Sequence, residues 1–205
     1  MHLEILSKEQ VELLTFIEKF KSRFYLVGGT AIALQIGHRQ SIDFDLFSEK
    51  SFSISTIHKK VVEEFPNCHV IHRSNDQIHY LLNGVKFTFF HYPFSIPLDK
   101  KLSKVISMPN LKTLAAMKAF AIGRRAKWKD YVDLYFLLKT YTSINEISLL
   151  AKEIFGGEFN SKLFRQQISY FNDIDYREAV FYLPGFEVSE EEVKSFLIDI
   201  ATQPF

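Results

Sequence analysis

Two aspartates separated by a single residue are the part of the sequence best suited to chemistry. Asp43 and Asp45 lie in the segment at 41–47, SIDFDLF, whose alternation of polar and apolar residues predicts a half-buried β-strand. Side chains of a strand alternate between its faces, so both carboxylates leave the same face, with Cα atoms roughly 6.5–7 Å apart. Continuing the alternation backward places Arg39 and Ser41 on that face as well. The opposite face is predicted to pack into the core through three apolar residues, Ile42, Phe44 and Leu46.

Two neighbouring carboxylates raise each other's pKa unless a cation neutralises them. Their oxygen atoms suit a hard divalent ion such as Mg²⁺ or Mn²⁺, and such an ion can hold nucleotide phosphates, as in phosphoryl-transfer sites. A solvated outer strand also carries alternating aspartates. The pair alone therefore does not distinguish a metal site from a strand that simply faces water.

A glycine pair before this strand is a second feature that suits a phosphate. Gly28-Gly29 follows the apolar run at 24–27, which predicts a buried strand, and precedes a short predicted helix at 30–37. Two glycines at this junction let the backbone approach a bulky anion, and the helix presents free N–H groups to it. Thr30 adds a hydroxyl at the same place. In isolation a tight turn explains the glycines better, but beside the aspartates they favour adjoining anion and metal sites.

Three charged residues later in the chain are further candidates. Lys118 lies on an otherwise apolar helical stripe, where a lysine either extends its ammonium to solvent or meets an anion. Asp130 and Asp133 share a stripe of the next predicted helix, and each has an ordinary explanation. Asp130 lies in the first turn, where the helix dipole favours negative charge, and Asp133 can pair with Arg124 or Arg125. We rank Asp130 above Asp133 for a direct role.

The predicted elements divide the chain into a mixed α/β half and a helical half. Strands are predicted at 24–27, 41–47, 68–74, 77–83 and 85–91. Helices are predicted at 8–22, 30–37, 53–65, 110–125, 128–141, 143–155, 160–171 and 189–202. We therefore expect a core at 1–100 and a helical region at 101–205 that packs on it and contributes to the site. The stretch at 93–104 is the candidate linker.

Composition restricts the class of protein. The 205 residues are 47% hydrophobic and carry a formal net charge of +1, which suits a globular protein and provides no overall basic field for nucleic acid. Cys68 is the only cysteine, so a disulfide framework is excluded. No apolar run reaches the ~20 residues that span a bilayer, and the first residues do not resemble a secretory signal. We expect a cytoplasmic protein without membrane contact.

Two blocks of the sequence resemble one protein family. The block at 26–47, LVGGTAIALQIGHRQSIDFDLF, is similar to the signature of AbiEii-type nucleotidyltransferases, the toxins of type IV abortive-infection systems in the DNA polymerase beta-like superfamily. The block at 114–134, LAAMKAFAIGRRAKWKDYVDL, is similar to a later motif of the family. The resemblance implies an α+β nucleotidyltransferase fold. Such a fold has a mixed, partly antiparallel sheet flanked by helices, followed here by a helical half.

The same resemblance implies roles for individual residues. Asp43 and Asp45 would bind the Mg²⁺ or Mn²⁺ ion, and Lys118 would reach the nucleotide. The nucleotide phosphates are assigned to the glycine turn, Gly28, Gly29 and Thr30. An acid in the later motif, Asp130 or Asp133, would complete the site. Family members transfer nucleotides to RNA acceptors such as tRNA ends, or otherwise arrest growth, and a cognate antitoxin protein is the expected partner.

The sequence departs from the superfamily pattern at one position. Polymerase-beta-like enzymes usually carry a third carboxylate on a neighbouring strand, as metal ligand or general base. Thr88 in the strand at 85–91 aligns with that acid, and a threonine serves neither role well. Three explanations stay open: Asp130 or Asp133 substitutes, one metal suffices, or the protein binds nucleotide without turning it over.

We therefore predict a metal-dependent nucleotidyltransferase that moves a nucleoside monophosphate from an NTP to a hydroxyl of RNA, tRNA or protein. Ser41 would contact the triphosphate, Lys118 the charge that develops, and Arg39 would orient the site or bind a phosphate. Two alternatives are a degenerate member that binds nucleotide, RNA or a protein, and an interaction domain for an antitoxin-like partner. A basic cluster indicates either RNA contact or a solvated helix connection; it comprises Arg124, Arg125, Lys127, Trp128 and Lys129.

Overall fold

The computed structural model describes residues 1–204, which form a five-stranded sheet, a short β-hairpin and eight α-helices. The strands are β1 (Tyr25–Val27), β2 (Asp43–Ser48), β3 (His69–Arg73), β4 (Gln77–Leu82), β5 (Val85–His91), β6 (Lys100–Leu102) and β7 (Ile106–Met108). The helices are α1 (Lys8–Glu18), α2 (Gly28–Ile36), α3 (Ile54–Glu64), α4 (Leu111–Ile122), α5 (Trp128–Thr140), α6 (Ile144–Phe155), α7 (Ser161–Ile168) and α8 (Glu190–Ala201).

The central sheet is mixed, with strand order β1-β2-β5-β4-β3. β2 and β5 run parallel, and the other neighbouring strands are antiparallel. A parallel pair needs a crossover connection, and here α3, β3 and β4 lie in it. The predicted Asn83-Gly84 turn joins β4 to β5, with φ of 50° and 81°, because both central residues of such a turn need positive φ. The mixed α/β fold class is therefore confirmed.

The back face of the sheet forms an aromatic core. The strands contribute buried side chains to it, among them Phe44, Leu46, Tyr80, Phe87 and Phe89. Helix α1 packs on these rings: the Phe16 and Phe87 centroids are 5.9 Å apart, and those of Phe20 and Phe89 are 4.8 Å apart. The apolar residues of β2 alternate with the aspartates, so they all lie on this face, which is buried and excludes water.

The helical region packs on the sheet half through α4, which contacts α2, α5, α6 and α7. Before it, β6 and β7 form a hairpin, and β7 contacts β1. Strand β6 lies within the stretch at 93–104, for which the sequence predicted a linker and no strand. Among residues 1–204, no helix combines the length and the apolar character needed to cross a bilayer.

Two local expectations were wrong. Strand β2 begins at Asp43, so Arg39 and Ser41 lie before it, and Ile42 is 64% exposed instead of buried. The chain at these positions pairs elsewhere, since Gln40 N–H donates to the Phe181 carbonyl at 2.8 Å. Helix α2 begins at Gly28 instead of residue 30, so both glycines belong to its first turn.

Candidate active site

The carboxylates of Asp43 and Asp45 lie on the front face of β2, opposite the buried Phe44 and Leu46. Asp45 pairs across the sheet with Val27, so its side chain lies beside the first turn of α2. Gly28 opens that turn with φ of +73°, and a Cβ there would stand 2.3 Å from Asp45 Oδ2. Glycine is required because both the backbone conformation and the space exclude a side chain.

The Asp45 carboxylate is half-buried and has no direct cationic partner. Burial, and then the neighbouring Asp43 charge, raise its pKa above the ordinary value. Among residues 1–204, no group donates a hydrogen bond to it or forms an ion pair with it. Asp43 differs, since its Oδ2 lies 3.1 Å from the Lys129 ammonium. The pair therefore holds one carboxylate in a direct ion pair and one that cations such as Arg125 and Lys129 influence only from a distance.

A buried ion network on α5 lies behind this pair and is centred on Asp133, which is fully buried. Arg39 donates to it twice, from Nε to Oδ1 at 2.7 Å and from Nη2 to Oδ2 at 2.9 Å. His38 Nε2–H donates to Oδ1 at 2.8 Å; burial lowers the pKa of His38, so its ring is neutral. Burial alone would raise the pKa of Asp133, but Arg39 and Lys118 hold it well below the usual range.

Lys118 connects this network to Asp130. Its ammonium lies 2.7 Å from Asp130 Oδ1 and 2.9 Å from Asp133 Oδ2. Burial raises the pKa of Asp130, but Lys118 and then Arg125 more than offset that effect, so it lies below the usual value. Both acids are buried and ionised, and each is already neutralised by cations. Such carboxylates fix the positions of Lys118 and Arg125 on the wall of the site.

The hydroxyl groups of Thr30 and Ser41 are buried and face each other. Their oxygen atoms are 2.8 Å apart, and Thr30 also donates to the Asp43 carbonyl. These bonds tie the first turn of α2 to the start of β2. The two hydroxyls, predicted to contact phosphates, are thus engaged in holding the aspartate strand, and Arg39, predicted to orient the site or bind a phosphate, is saturated by Asp133.

A cavity of about 450 Å³ opens beside Asp45. Gly28 and the charged side chains of Asp45, Lys118 and Arg125 line it, and the Arg125 side chain is 50% exposed. The lining also includes aromatic side chains, Phe47, Phe90, Tyr92, Phe94 and Phe120. A pocket that combines charged groups with aromatic faces suits a molecule that joins phosphates to a planar ring.

Sequence comparison identifies the family of the chain. The family described as Nucleotidyl transferase AbiEii toxin, Type IV TA system, matches residues 15–96 and 95–202. The chain belongs to the AbiEii nucleotidyltransferase toxin family. The resemblance noted in the sequence is thus confirmed over almost the whole chain.

Similar proteins extend this assignment. Uncharacterized protein aq_aa25 of Aquifex aeolicus (strain VF5) is 34% identical over 200 residues, which cover 93% of each chain. MenT4, a nucleotidyltransferase toxin from Mycobacterium tuberculosis H37Rv, has a TM-score of 0.61 at 11% identity, covering 94% of this chain and 81% of its own. JHP933 from Helicobacter pylori has a TM-score of 0.54 at 18% identity, covering 96% and 91%. These two structures show the shared fold.

Thr88 lies on β5, the parallel neighbour of β2, and its Cα pairs with that of Asp45. In this AbiEii chain the strand position next to the aspartate pair thus carries a hydroxyl. Among residues 1–204, no group of three or more His, Cys, Asp or Glu side chains is arranged to hold a metal ion. A divalent ion here would have only two carboxylate ligands from the protein.

Sequence reasoning missed two parts of this AbiEii site. The basic cluster was interpreted as an RNA contact or a solvated helix connection, yet Arg125 lines the cavity and Lys129 forms an ion pair with Asp43. The sequence did offer one signal for these residues, because Arg125 and Lys129 lie in the same motif block as Lys118 and a few residues after its helix. The aromatic wall had no local signal, since its residues come from β2, β5, the following loop and α4.

Proposed function

We propose that the chain is an active, metal-dependent nucleotidyltransferase that transfers a nucleoside monophosphate from an NTP to a hydroxyl group. The observation that carries this proposal is the half-buried Asp45 carboxylate, which has no direct cationic partner and lines a cavity walled by charged and aromatic side chains. A partly buried charge with a like-charged neighbour is unfavourable unless a ligand neutralises it.

The lining of the cavity matches the parts of a nucleoside triphosphate. Arg125 and the first-turn N–H groups of α2 at Gly28 and Gly29 can receive the phosphates, since a helix N-terminus favours anions. Lys118, between Asp130 and Asp133, adds a fixed positive charge to the same wall. The aromatic side chains provide flat apolar surfaces for the base.

Asp43 and Asp45 fit Mg²⁺ or Mn²⁺, because they supply hard oxygen ligands and one of them lacks a partner. An ion bound there would neutralise part of the negative charge of the phosphates. In the reaction, the acceptor hydroxyl oxygen attacks the α-phosphorus of the NTP. The bond between the α-phosphorus and the oxygen that bridges it to the β-phosphorus breaks, so pyrophosphate leaves, and the hydroxyl proton is released. Positioning and charge stabilisation dominate such transfers, so the absence of an acid at Thr88 is compatible with turnover.

Thr88 nevertheless favours one rival function. Without a carboxylate at position 88 on β5, the site has no evident general base, which is what a protein that binds nucleotide without transferring it would show. The two functions share the cavity and differ only in turnover. A transfer assay therefore separates them.

For the acceptor and the partner, the proposal follows the family description. A type IV toxin–antitoxin system implies a cognate antitoxin protein. We propose RNA, including tRNA, or protein as the acceptor class, contacted by the basic side chains of Arg124 and Arg125. Both side chains line the cavity and are 50% exposed.

Radiolabel transfer tests the proposal. Each α-labelled NTP is incubated with total cellular RNA and protein, with Mg²⁺ or Mn²⁺, using wild type, Asp45→Asn and Asp199→Asn as the control. Asp199 is an exposed acid on α8. We expect labelling by wild type and by the control, and a loss of at least about 100-fold in Asp45→Asn. Metal-dependent NTP binding without labelling in wild type would instead establish the rival, non-catalytic function.

A further inference from the structure

Lys129 forms contacts that nucleotide transfer by itself does not require. Its side chain is 17% exposed, and its ammonium lies between two carboxylates, those of Asp43 and Glu178. Burial opposes the charged form, but Asp43 and Glu178 raise the pKa of Lys129 above its usual value. Among the described residues that line the cavity, Lys129 does not appear. Its charge is therefore directed at the aspartate pair and away from the space for the nucleotide.

Glu178 reaches this position on a segment that is anchored on both sides. Before it, Asp175 N–H donates to the Ala126 carbonyl at 2.7 Å, and the Asp175 carbonyl accepts from Trp128 N–H at 3.1 Å. After it, the Phe181 carbonyl accepts from Gln40 N–H at 2.8 Å. We call residues 170–188, between α7 and α8, the strap. It spans from the start of α5 to the residues before β2.

The anchored strap gives Lys129 two alternative anions at fixed positions. Glu178 contacts both Lys127 and Lys129, and although partial burial raises its pKa, these two cations lower it to about 2. The carboxylate is therefore ionised at neutral pH. With Lys129 on Asp43, the aspartate pair has one net negative charge; with Lys129 on Glu178 alone, it has two and attracts a divalent cation more strongly.

We propose that Lys129 is a built-in cation that neutralises Asp43 in the metal-free protein, and that Glu178 on the strap holds it when a divalent ion binds the aspartates. The inference rests on the proposed metal-dependent function and adds the determinant of metal affinity. Lys129 competes with the ion, whereas Glu178 draws Lys129 away from Asp43 and so assists the ion. Substitutions at these two residues must therefore shift metal affinity in opposite directions.

Mn²⁺ binding without nucleotide, followed by calorimetry and by the spin-resonance signal of free Mn²⁺, tests this. We expect Lys129→Met to bind Mn²⁺ at least about fivefold more tightly than wild type, and Glu178→Gln to bind it at least about fivefold more weakly. Lys127→Met is the matched control, because Lys127 contacts Glu178 but not Asp43. The Mn²⁺ affinity of this variant should stay within about twofold of the wild-type value. In thermal melts, Lys129→Met should be less stable than wild type without metal and should regain that stability with Mn²⁺.

Unchanged or weaker Mn²⁺ binding by Lys129→Met, or tighter binding by Glu178→Gln, would overturn the inference. Loss of NTP affinity in Lys129→Met without any change in Mn²⁺ affinity would mean that Lys129 is a phosphate ligand instead. The Asp45→Asn variant distinguishes failure of the inference about Lys129 from failure of the proposed metal-dependent function. If Asp45→Asn abolishes Mn²⁺ binding and Lys129→Met behaves as wild type, only the inference fails. If no variant and no wild-type protein binds Mn²⁺, the metal site itself is refuted, and the inference with it.

Discussion

Gly28 shows how one residue links backbone conformation to the chemistry of the site. It has a left-handed φ of +73°, and the space where its Cβ would lie is filled by the Asp45 carboxylate. The close approach brings the first turn of α2 to the edge of the cavity, where its N–H groups can meet an anion. The same glycine therefore allows both the turn and the position of Asp45.

We expect Gly28→Ala to lose about 1–2 kcal/mol from the left-handed backbone alone, and to lose activity because the methyl group displaces Asp45. Gly84→Ala is the control, since Gly84 has φ of +81° with no atom within 4 Å of the added Cβ. Urea unfolding should show a similar backbone loss in both variants, whereas nucleotide transfer should fall only in Gly28→Ala. Wild-type activity in Gly28→Ala would contradict the assigned contact with Asp45.

At the scale of elements, α2, α4 and α5 are joined by buried charges as well as by apolar contacts. Asp133 on α5 accepts bonds from Arg39 and His38, which follow α2, and pairs with Lys118 of α4. Gly29 makes room for this network, because a Cβ there would stand 2.3 Å from Arg39 Nη2. The second glycine of the pair is thus explained by an ion pair that holds α5 against α2 and α4, and residues of α2 and α4 line the cavity.

We expect Asp133→Asn to lower the free energy of unfolding by about 3–5 kcal/mol, because Arg39 and Lys118 would remain buried with an incomplete set of counter-charges. Glu18→Gln removes a carboxylate from an ion pair with Lys21 whose side chains are 42% and 50% exposed. That control should lose far less stability than Asp133→Asn, because solvent screens an exposed pair. Denaturant titration compares the variants; equal small losses would show that the buried network contributes no more than a surface pair.

For the whole molecule, the buried acids determine how stability responds to acid. The pKa of Asp133 in the folded chain lies well below 3.8, its value without the fold. A depressed folded pKa contributes stability above the unfolded pKa, and that contribution is lost as the pH falls through the folded pKa. The protein should therefore keep this contribution at neutral pH and lose it only in strong acid.

The stability difference between wild type and Asp133→Asn should accordingly stay nearly constant from pH 7 to 5 and shrink as the pH falls below about 3.8. Urea unfolding of both proteins at pH 7, 5 and 3 measures it. A difference that does not shrink down to pH 3 would mean that Asp133 has an ordinary pKa, and one that grows as the pH falls would mean that its pKa is raised. The ion network would then be weaker than its geometry implies.

Local patterns in the sequence determined much of the fold. Alternation in 41–47 predicted β2 and the shared face of Asp43 and Asp45, and Asn83-Gly84 predicted the hairpin. The helix after the glycine pair ends at Gly37, which has the left-handed φ of 79° expected for such an end. These features depend on neighbours within a few residues, so periodicity and turn preferences are sufficient to predict them.

Only the tertiary structure decided which charges meet. Lys129 lies on Asp43, and Arg39 on Asp133, across 86 and 94 residues of sequence. The exposure of Ile42 and the engagement of Thr30 likewise follow from distant contacts, because the fold decides where a strand begins and what covers it. The sequence by itself thus determined the chemical groups of the site and their local spacing. An ion pair forms with whichever opposite charge the packed elements bring within about 4 Å, and no local pattern encodes that choice.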